Sequence, residues 1–282
     1  MEYFSVFKHY ILKLLYLIFL SKKKKIRIIK RDNINWKINI NDVIGSSLFF
    51  FGYFEKKNIN FFKNYILKNT CLIDIGANIG AFAIPFYFAY KNKISKAYAI
   101  EPDKKNYSLL KENLKLNKIE NKIKTLNYII SYKNKVNKIY SHYPILTDSK
   151  KGKLFFREGN VNKVRKRSLD ELIFRKKINY ILKIDVDGNE YHVIKGAQKF
   201  IKKYKPLILI EISKSLISKL QFESLINILE KCNYKIIMFK YFKFSPKILK
   251  FDPRNLGIDY FFIHKNYKKK KLKKLFSFSK FN

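Results

Sequence analysis

Four short apolar runs each close on a carboxylate: CLID at Asp74, AYAIE at Glu101, YILKID at Asp185 and LILIE at Glu211. Short continuous apolar runs of this kind are the pattern of strands buried on both faces of a sheet. Helix-like stretches separate them. KKNYSLLKENLKLNK places Leu109, Leu110 and Leu114 on one side, and FESLINILEKC repeats the pattern further on. Strand and helix alternate from residue 71 to about 264, which predicts a doubly wound α/β domain with a mostly parallel sheet. Ligands in such sheets bind outside the carboxyl ends of the strands. The four acids are therefore candidate site residues.

Within this frame, IKTLNYIIS reads as a third strand, and YKIIMF and DYFFIHK as the last two. GAFAIPFYFAYK reads as a helix that Pro85 kinks or ends. SLDELIFR reads as a helix opened by a capping box of Ser168 and Glu171. GNEYHVIKGAQKFIKKY reads as one helix. Residues 132–167 are irregular, with strand-like pieces at KLFFRE and NVNKVRKR. Before the core, IRIIKR and NWKININ read as strands and NINFFKNYILK as a helix. The expected organisation is an apolar and basic segment over 1–25, a lead-in over 26–69, the main domain over 70–265 and a basic tail over 266–282.

The formal charge of +40 points toward an anionic partner. Only seven of the 61 basic residues are Arg, however, and a nucleic-acid reader relies on the planar arginine fork. The excess is Lys, accompanied by Ile, Asn, Phe and Tyr, all of which have A/T-rich codons. Base composition therefore accounts for much of the charge, and nucleic acid is an improbable partner on this ground. Cys71 and Cys232 are too few for a disulfide framework, and neither lies in a metal-ligand spacing. The expected compartment is the cytoplasm. The segment YFSVFKHYILKLLYLIFLSKKKK contains an uninterrupted apolar run of 14–20, too short to span a bilayer. Two readings stay open for it: a helix on an anionic membrane face, or a helix docked on the protein's own core. The tail over 265–282 mixes Lys with Leu and Phe in the same way.

The stretch LIDIGANIGAFAI carries the most specific local signal. A phosphate-binding GxxxxGK[ST] loop is absent, because no Lys-Ser or Lys-Thr follows Gly80. A GxGxxG dinucleotide loop would require glycine where Asn78 and Ala81 stand. What remains is an acid, Gly76, Gly80, a helix starting at about 79, and Glu101 at the end of the next strand. Glycines permit positive φ and close backbone approach. A helix start attracts a carboxylate, and a carboxylate after the second strand accepts both hydroxyls of a ribose. The combination suits adenosine joined to an amino acid better than a pyrophosphate.

Several motifs in order, LIDIGANIGAFAI, AIEPDKKNYSLLKENLKLN, RSLDEL, LKIDVDGNEYHVIKGAQKF and KPLILIEIS, with GYFEKKNI before them, resemble the FkbM family of S-adenosylmethionine-dependent methyltransferases. The resemblance spans about 52 to 213. It implies a Rossmann-like class I methyltransferase fold, whose seven-stranded sheet ends in an antiparallel strand, here preceded by an N-terminal extension. It implies that Asp74, Gly76, Ala77, Asn78, Gly80, Glu101 and Pro102 line the S-adenosylmethionine site. No acid follows the third strand to hold the adenine amino group, so backbone or Ser131 would serve there. Asp187 stands where the family often has Glu.

The family's usual substrate is a hydroxyl, often on a sugar or glycolipid. A hydroxyl is a weak nucleophile and gains from a general base or a metal. Asp185 is the first candidate base, and Glu211 is the second, alone or sharing Mg²⁺ with it. Glu190 is expected to brace the Gly188 turn. His192 and His142 are minor candidates, and Lys183 is placed either to support the cofactor site or to pair with an acid. The expected function is a sugar, glycan or glycolipid O-methyltransferase at the inner membrane face or in the cytoplasm. An RNA methyltransferase and a non-catalytic cofactor-binding protein are the alternatives.

Overall fold

The computed structural model describes residues 25–132, 139–142, 156–159, 164–172, 178–212, 216–237 and 258–267. The chain opens with a hairpin of β1 (Ile26–Arg31) and β2 (Ile34–Asn39), followed by α1 (Val43–Phe51) and α2 (Lys56–Phe61). The core contains β3 (Thr70–Ile75), α3 (Ala83–Tyr90), β4 (Ile94–Ile100), α4 (Lys104–Leu116), β5 (Ile123–Leu126) and β6 (Tyr128–Ile130). Short strands β7 (Ile139–His142), β8 (Phe156–Gly159) and β9 (Arg165–Arg167) precede β10 (Asn179–Ile184). Then come α5 (Glu190–Lys195), α6 (Gln198–Tyr204), β11 (Leu207–Ile212), α7 (Lys219–Lys231), β12 (Tyr234–Ile237) and β13 (Ile258–His264).

Seven strands form one sheet in the order β12-β13-β11-β10-β3-β4-β5. Neighbours from β11 to β5 run parallel, and β13 runs antiparallel to both β11 and β12. This is the Rossmann-like arrangement expected, including the antiparallel last strand. The strand order reverses at β3, which lies between β10 and β4. The cleft opens at that point.

The period of two along each strand divides the core into two layers. Leu72, Ala97, Ala99, Ile181, Leu209 and Phe261 face one side, and Ile73, Ile100, Leu182, Ile184, Ile210 and Phe262 the other. The first layer also takes in Trp36, Ile38 and Ile40, so the lead-in shares a core with the sheet. Phe62 is its centre. Its ring meets Phe61, Phe82, Phe86 and Phe261 edge-on at centroid distances of 5.2–6.2 Å. Phe62→Ala is expected to cost about 3–5 kcal/mol of stability, read from denaturant unfolding, because it removes a fully buried ring from a close-packed cluster.

Local expectations fail in three places, each for a physical reason. Pro85 neither kinks nor ends α3. It is the third residue of that helix, where a backbone N–H has no intrahelical partner to lose. The stretch 190–204 is two helices, not one. A Cβ on Gly196 would lie 3.1 Å from the Ser131 backbone, and the chain bends there to let the two backbones approach. Among the described residues, the stretch after Ser168 is a 3₁₀ turn, Leu169–Glu171, with the capping box present, and the rest of SLDELIFR from 173 on lies outside them. IKTLNYIIS is two strands, because the Asn127 amide turns aside to bond the Glu101 and Pro102 carbonyls. The amphipathic readings of 3–24 and 268–282 lie outside the described residues. Among the described residues no helix is long and apolar enough to cross a membrane.

Candidate active site

The loop after β3 is built by two positive-φ glycines. Gly76 has φ 83°, and a Cβ there would sit 1.7 Å from the Asp185 carbonyl oxygen. No residue with a side chain fits without moving β10. Gly80 has φ 90°, and Asn78 between them has φ 49°, a conformation that Asn tolerates better than most residues. Every backbone N–H from 76 to 80 is bonded within the protein. Gly76 and Ala77 donate to the Ile100 carbonyl at 2.9 and 3.0 Å, and Asn78 to Glu101 Oε2 at 2.8 Å. Ile79 donates to Asn78 Oδ1 at 2.9 Å, and Gly80 to the Ala77 carbonyl at 2.8 Å. The expected helix start near 79 is therefore corrected. The helix begins at Ala83, and the loop N–H groups do not form a phosphate cradle.

Glu101 is 5 % exposed and holds the loop from the other side, its Oε1 accepting from Asp103 N–H at 2.8 Å. Burial pushes its carboxyl up to about 8, partly offset by the N–H groups of Asp103 and Asn78. Each of its oxygens keeps a further lone pair for a hydroxyl donor.

The cleft encloses about 740 Å³ of non-atom space, part of it open to solvent. Gly76, Ala77, Asn78, Glu101, Pro102 and Asp185 are among the residues that line it. Four sequence candidates are not among the lining residues. Asp74 is fully buried beneath the floor, and Gly80 packs against Ile84 and Leu110. Ser131 is buried, with its N–H on the Arg167 carbonyl, while Tyr128, Ile129 and Ile130 take the wall where it was expected. Glu211 is paired in register with Asp259 on β13. Burial, then Asp185 and Asp259, raise the Glu211 carboxyl well above its usual range.

The opposite wall is acidic around one ammonium. Lys183 Nζ lies 2.9 Å from Asp185 Oδ2, 3.1 Å from Glu55 Oε1 and 3.9 Å from Asp74 Oδ1, and 5.4 Å from the Phe82 ring centre. The β10–β3 register sets Lys183 beside Asp74. Burial alone lowers the ammonium, but Asp185, Glu55 and Asp74 outweigh it and hold Lys183 well above its ordinary value. Burial raises Asp74 to about 7, with Lys183 and the Ala83 backbone N–H opposing. Burial and Asp185 raise Asp187, which takes φ 47° before Gly188. A short Asp is at home in that left-handed turn.

Glu190 braces the turn as expected, accepting from Gly188 N–H at 2.8 Å, and burial lifts it to about 8. His192 packs beside Gln221, outside the cleft lining, and burial lowers its imidazole. The His142 side chain lies outside the described residues. Among the described residues no group of three His, Cys, Asp or Glu is arranged to hold a metal ion. Glu55 and Phe54 line the cleft without having been given a role by sequence reasoning. The signal was Gly52 followed three residues later by Glu55: Gly52 caps α1 at φ 78° and turns the chain so that Glu55 reaches the cleft.

These raised carboxyls set a pH dependence. Asp74, Glu101 and Glu190 hold protons up to about 7, 8 and 8, whereas the unfolded chain releases them near 4. Their contribution to stability is complete below pH 4 and is lost as pH rises through 7–8. Thermal melts are therefore expected to give a Tm several degrees higher at pH 5.5 than at pH 8.5.

The family defined by the Methyltransferase FkbM domain matches residues 74–236, which runs from the acid of β3 through β12. The chain belongs to the FkbM methyltransferase family. Among curated proteins, the tRNA(Phe) (4-demethylwyosine(37)-C(7)) aminocarboxypropyltransferase of Methanocaldococcus jannaschii is 30 % identical over 156 residues, 54 % of this chain and 60 % of that protein. The FkbM-family chain thus spans about 60 % of the length of the curated relative it matches. It is also similar to two solved structures. The FkbM methyltransferase of Methylobacillus flagellatus has a TM-score of 0.45 at 20 % identity, over 70 % of this chain and 45 % of that one. The M. jannaschii TYW2 complex with AdoMet has 0.44 at 18 %, over 87 % and 89 %.

The cofactor of the FkbM family is S-adenosylmethionine, and the residues present fit it. Glu101 offers acceptors for a ribose diol, and the spent loop N–H groups disfavour a pyrophosphate.

Proposed function

We propose that this protein is an S-adenosylmethionine-dependent O-methyltransferase acting on a hydroxyl of a sugar, glycan or glycolipid. The observation that carries the reading is a cleft lined by Gly76, Asn78 and Glu101 on one wall and by Asp185 on the other, at the reversal point of the sheet. S-adenosylmethionine supplies an activated methyl group on a sulfonium. The chain's task is to align the acceptor and remove its proton. Asp185, whose side chain is 16 % exposed at the end of β10, takes the proton from the acceptor hydroxyl. Glu211, outside the cleft lining, is not assigned that role.

The lysine-rich segment over 22–25 and the tail are proposed to touch an anionic membrane surface, bringing the cleft to lipid-linked acceptors.

One observation favours a second reading. The 30 % identical relative is named as an enzyme acting on tRNA, which transfers the aminocarboxypropyl group rather than methyl. Nucleic acid is therefore not set aside as an acceptor, and the sequence argument from the scarcity of Arg loses its support. Incubation with methyl-labelled cofactor and, separately, nucleotide sugars, glycolipid extract and tRNA tests the substrate class. Label in the sugar or glycolipid fraction supports the first reading, and label in tRNA alone overturns it.

A further inference from the structure

Glu55 belongs to the segment before the sheet, yet it meets the ammonium that holds the proposed base. Its Oε2 accepts from the Asn58 amide at 3.2 Å, and the same amide reaches Asp259 Oδ2 at 2.8 Å. Its Oε1 meets Lys183 at 3.1 Å, and Lys183 in turn holds Asp185 Oδ2 at 2.9 Å. The Glu55 backbone sits at φ 50°, so the turn is held in an uncommon conformation with its carboxylate aimed inward. Lys183 is 4 % exposed and Glu55 11 % exposed, so solvent screens these contacts little.

We propose that Glu55 and Lys183 are the positioning pair for Asp185. The ammonium fixes one carboxylate oxygen and leaves the other to face the acceptor, while Glu55 fastens the segment after Gly52 to the same point and so sets the acceptor wall. This rests on the reading of Asp185 as the proton acceptor. The groups that bear on Asp185 come from every neighbouring element: Glu55 from the lead-in, Asp74 from β3, Lys183 from β10, Asp187 from the following turn, Glu190 from α5, Glu211 from β11 and Asp259 from β13. Lys183 is the only cation in that set, and Glu55 competes with Asp185 for it.

The two contacts separate two variants. K183M leaves the Asp185 oxygen with no ammonium to fix it, whereas in E55Q the amide oxygen still accepts from Lys183 and only the fastening of the lead-in is weakened. K183R keeps a cationic donor at the same point, so it restores a positioning role.

The test uses the full chain with methyl-labelled cofactor and whichever of glycolipid extract, nucleotide sugars or tRNA the wild-type chain labels, reading kcat, acceptor KM and cofactor affinity. K183M is expected to lower kcat by about 10–100-fold with cofactor affinity changed only a few-fold, and K183R to recover most of that loss. E55Q is expected to raise the acceptor KM with kcat nearly unchanged. Should K183M fail to fold, the KM-against-kcat split in E55Q decides alone. Wild-type kcat in K183M, or an unchanged acceptor KM in E55Q, overturns the proposal. D185N keeps the two claims apart: full turnover in D185N removes the base assignment, whereas lost turnover in D185N with wild-type kinetics in K183M and E55Q removes the pair alone.

Discussion

Glu101→Ala is expected to weaken S-adenosylmethionine binding by about 100-fold or more, measured by titration calorimetry on the full chain. The proposed role of this carboxyl is to take the ribose diol, and two lost hydrogen bonds of about 1–1.5 kcal/mol each give that factor. The same side chain accepts the N–H groups of Asn78 and Asp103, so its loss also loosens the loop that carries Gly76. Glu101→Gln separates the two effects. Its amide oxygen accepts one N–H but its amide nitrogen cannot accept the other, so it is expected to bind between the two. Unchanged affinity in Glu101→Ala would remove the ribose assignment.

Asp185→Asn is expected to lower kcat by about 10²–10⁴-fold, the range for loss of a general base, with cofactor affinity changed only a few-fold. The amide matches the carboxylate in shape and still accepts a hydrogen bond from Lys183, but it takes no proton from a hydroxyl. Single-turnover rates with labelled cofactor separate this loss from weaker binding. Full activity in the variant would mean that alignment alone drives transfer and that no proton acceptor stands at the end of β10.

The sheet was legible because its signal repeats. Four apolar runs ending in acids, each next to a helical pattern, admit few arrangements, and the acids mark the strand ends that meet at the cleft. The loop wall of the cleft was legible because its chemistry is local: Gly76, Ala77 and Asn78 are read from one stretch of chain. The opposite wall was not, because it is assembled from distant pieces. Glu55 reaches Lys183 across 128 residues, a pairing no local pattern encodes. The helix α1 was missed because Val43–Phe51 is an apolar run without helical spacing, although its caps, Asp42 accepting from Gly45 N–H and Gly52 in the left-handed region, were present in the sequence. The close approach at Gly196 is to the Ser131 backbone, far away in sequence, which no local pattern encodes.

The central claim is methyl transfer from S-adenosylmethionine bound in this cleft. The most direct measurement gives the full chain two cofactor preparations, one labelled in the methyl carbon and one in the aminocarboxypropyl chain, with glycolipid, nucleotide-sugar and tRNA acceptors in parallel. Methyl label in a glycolipid or sugar product, lost in Asp185→Asn, is the predicted result. Aminocarboxypropyl label in the acceptor, with no methyl label transferred, would contradict the account.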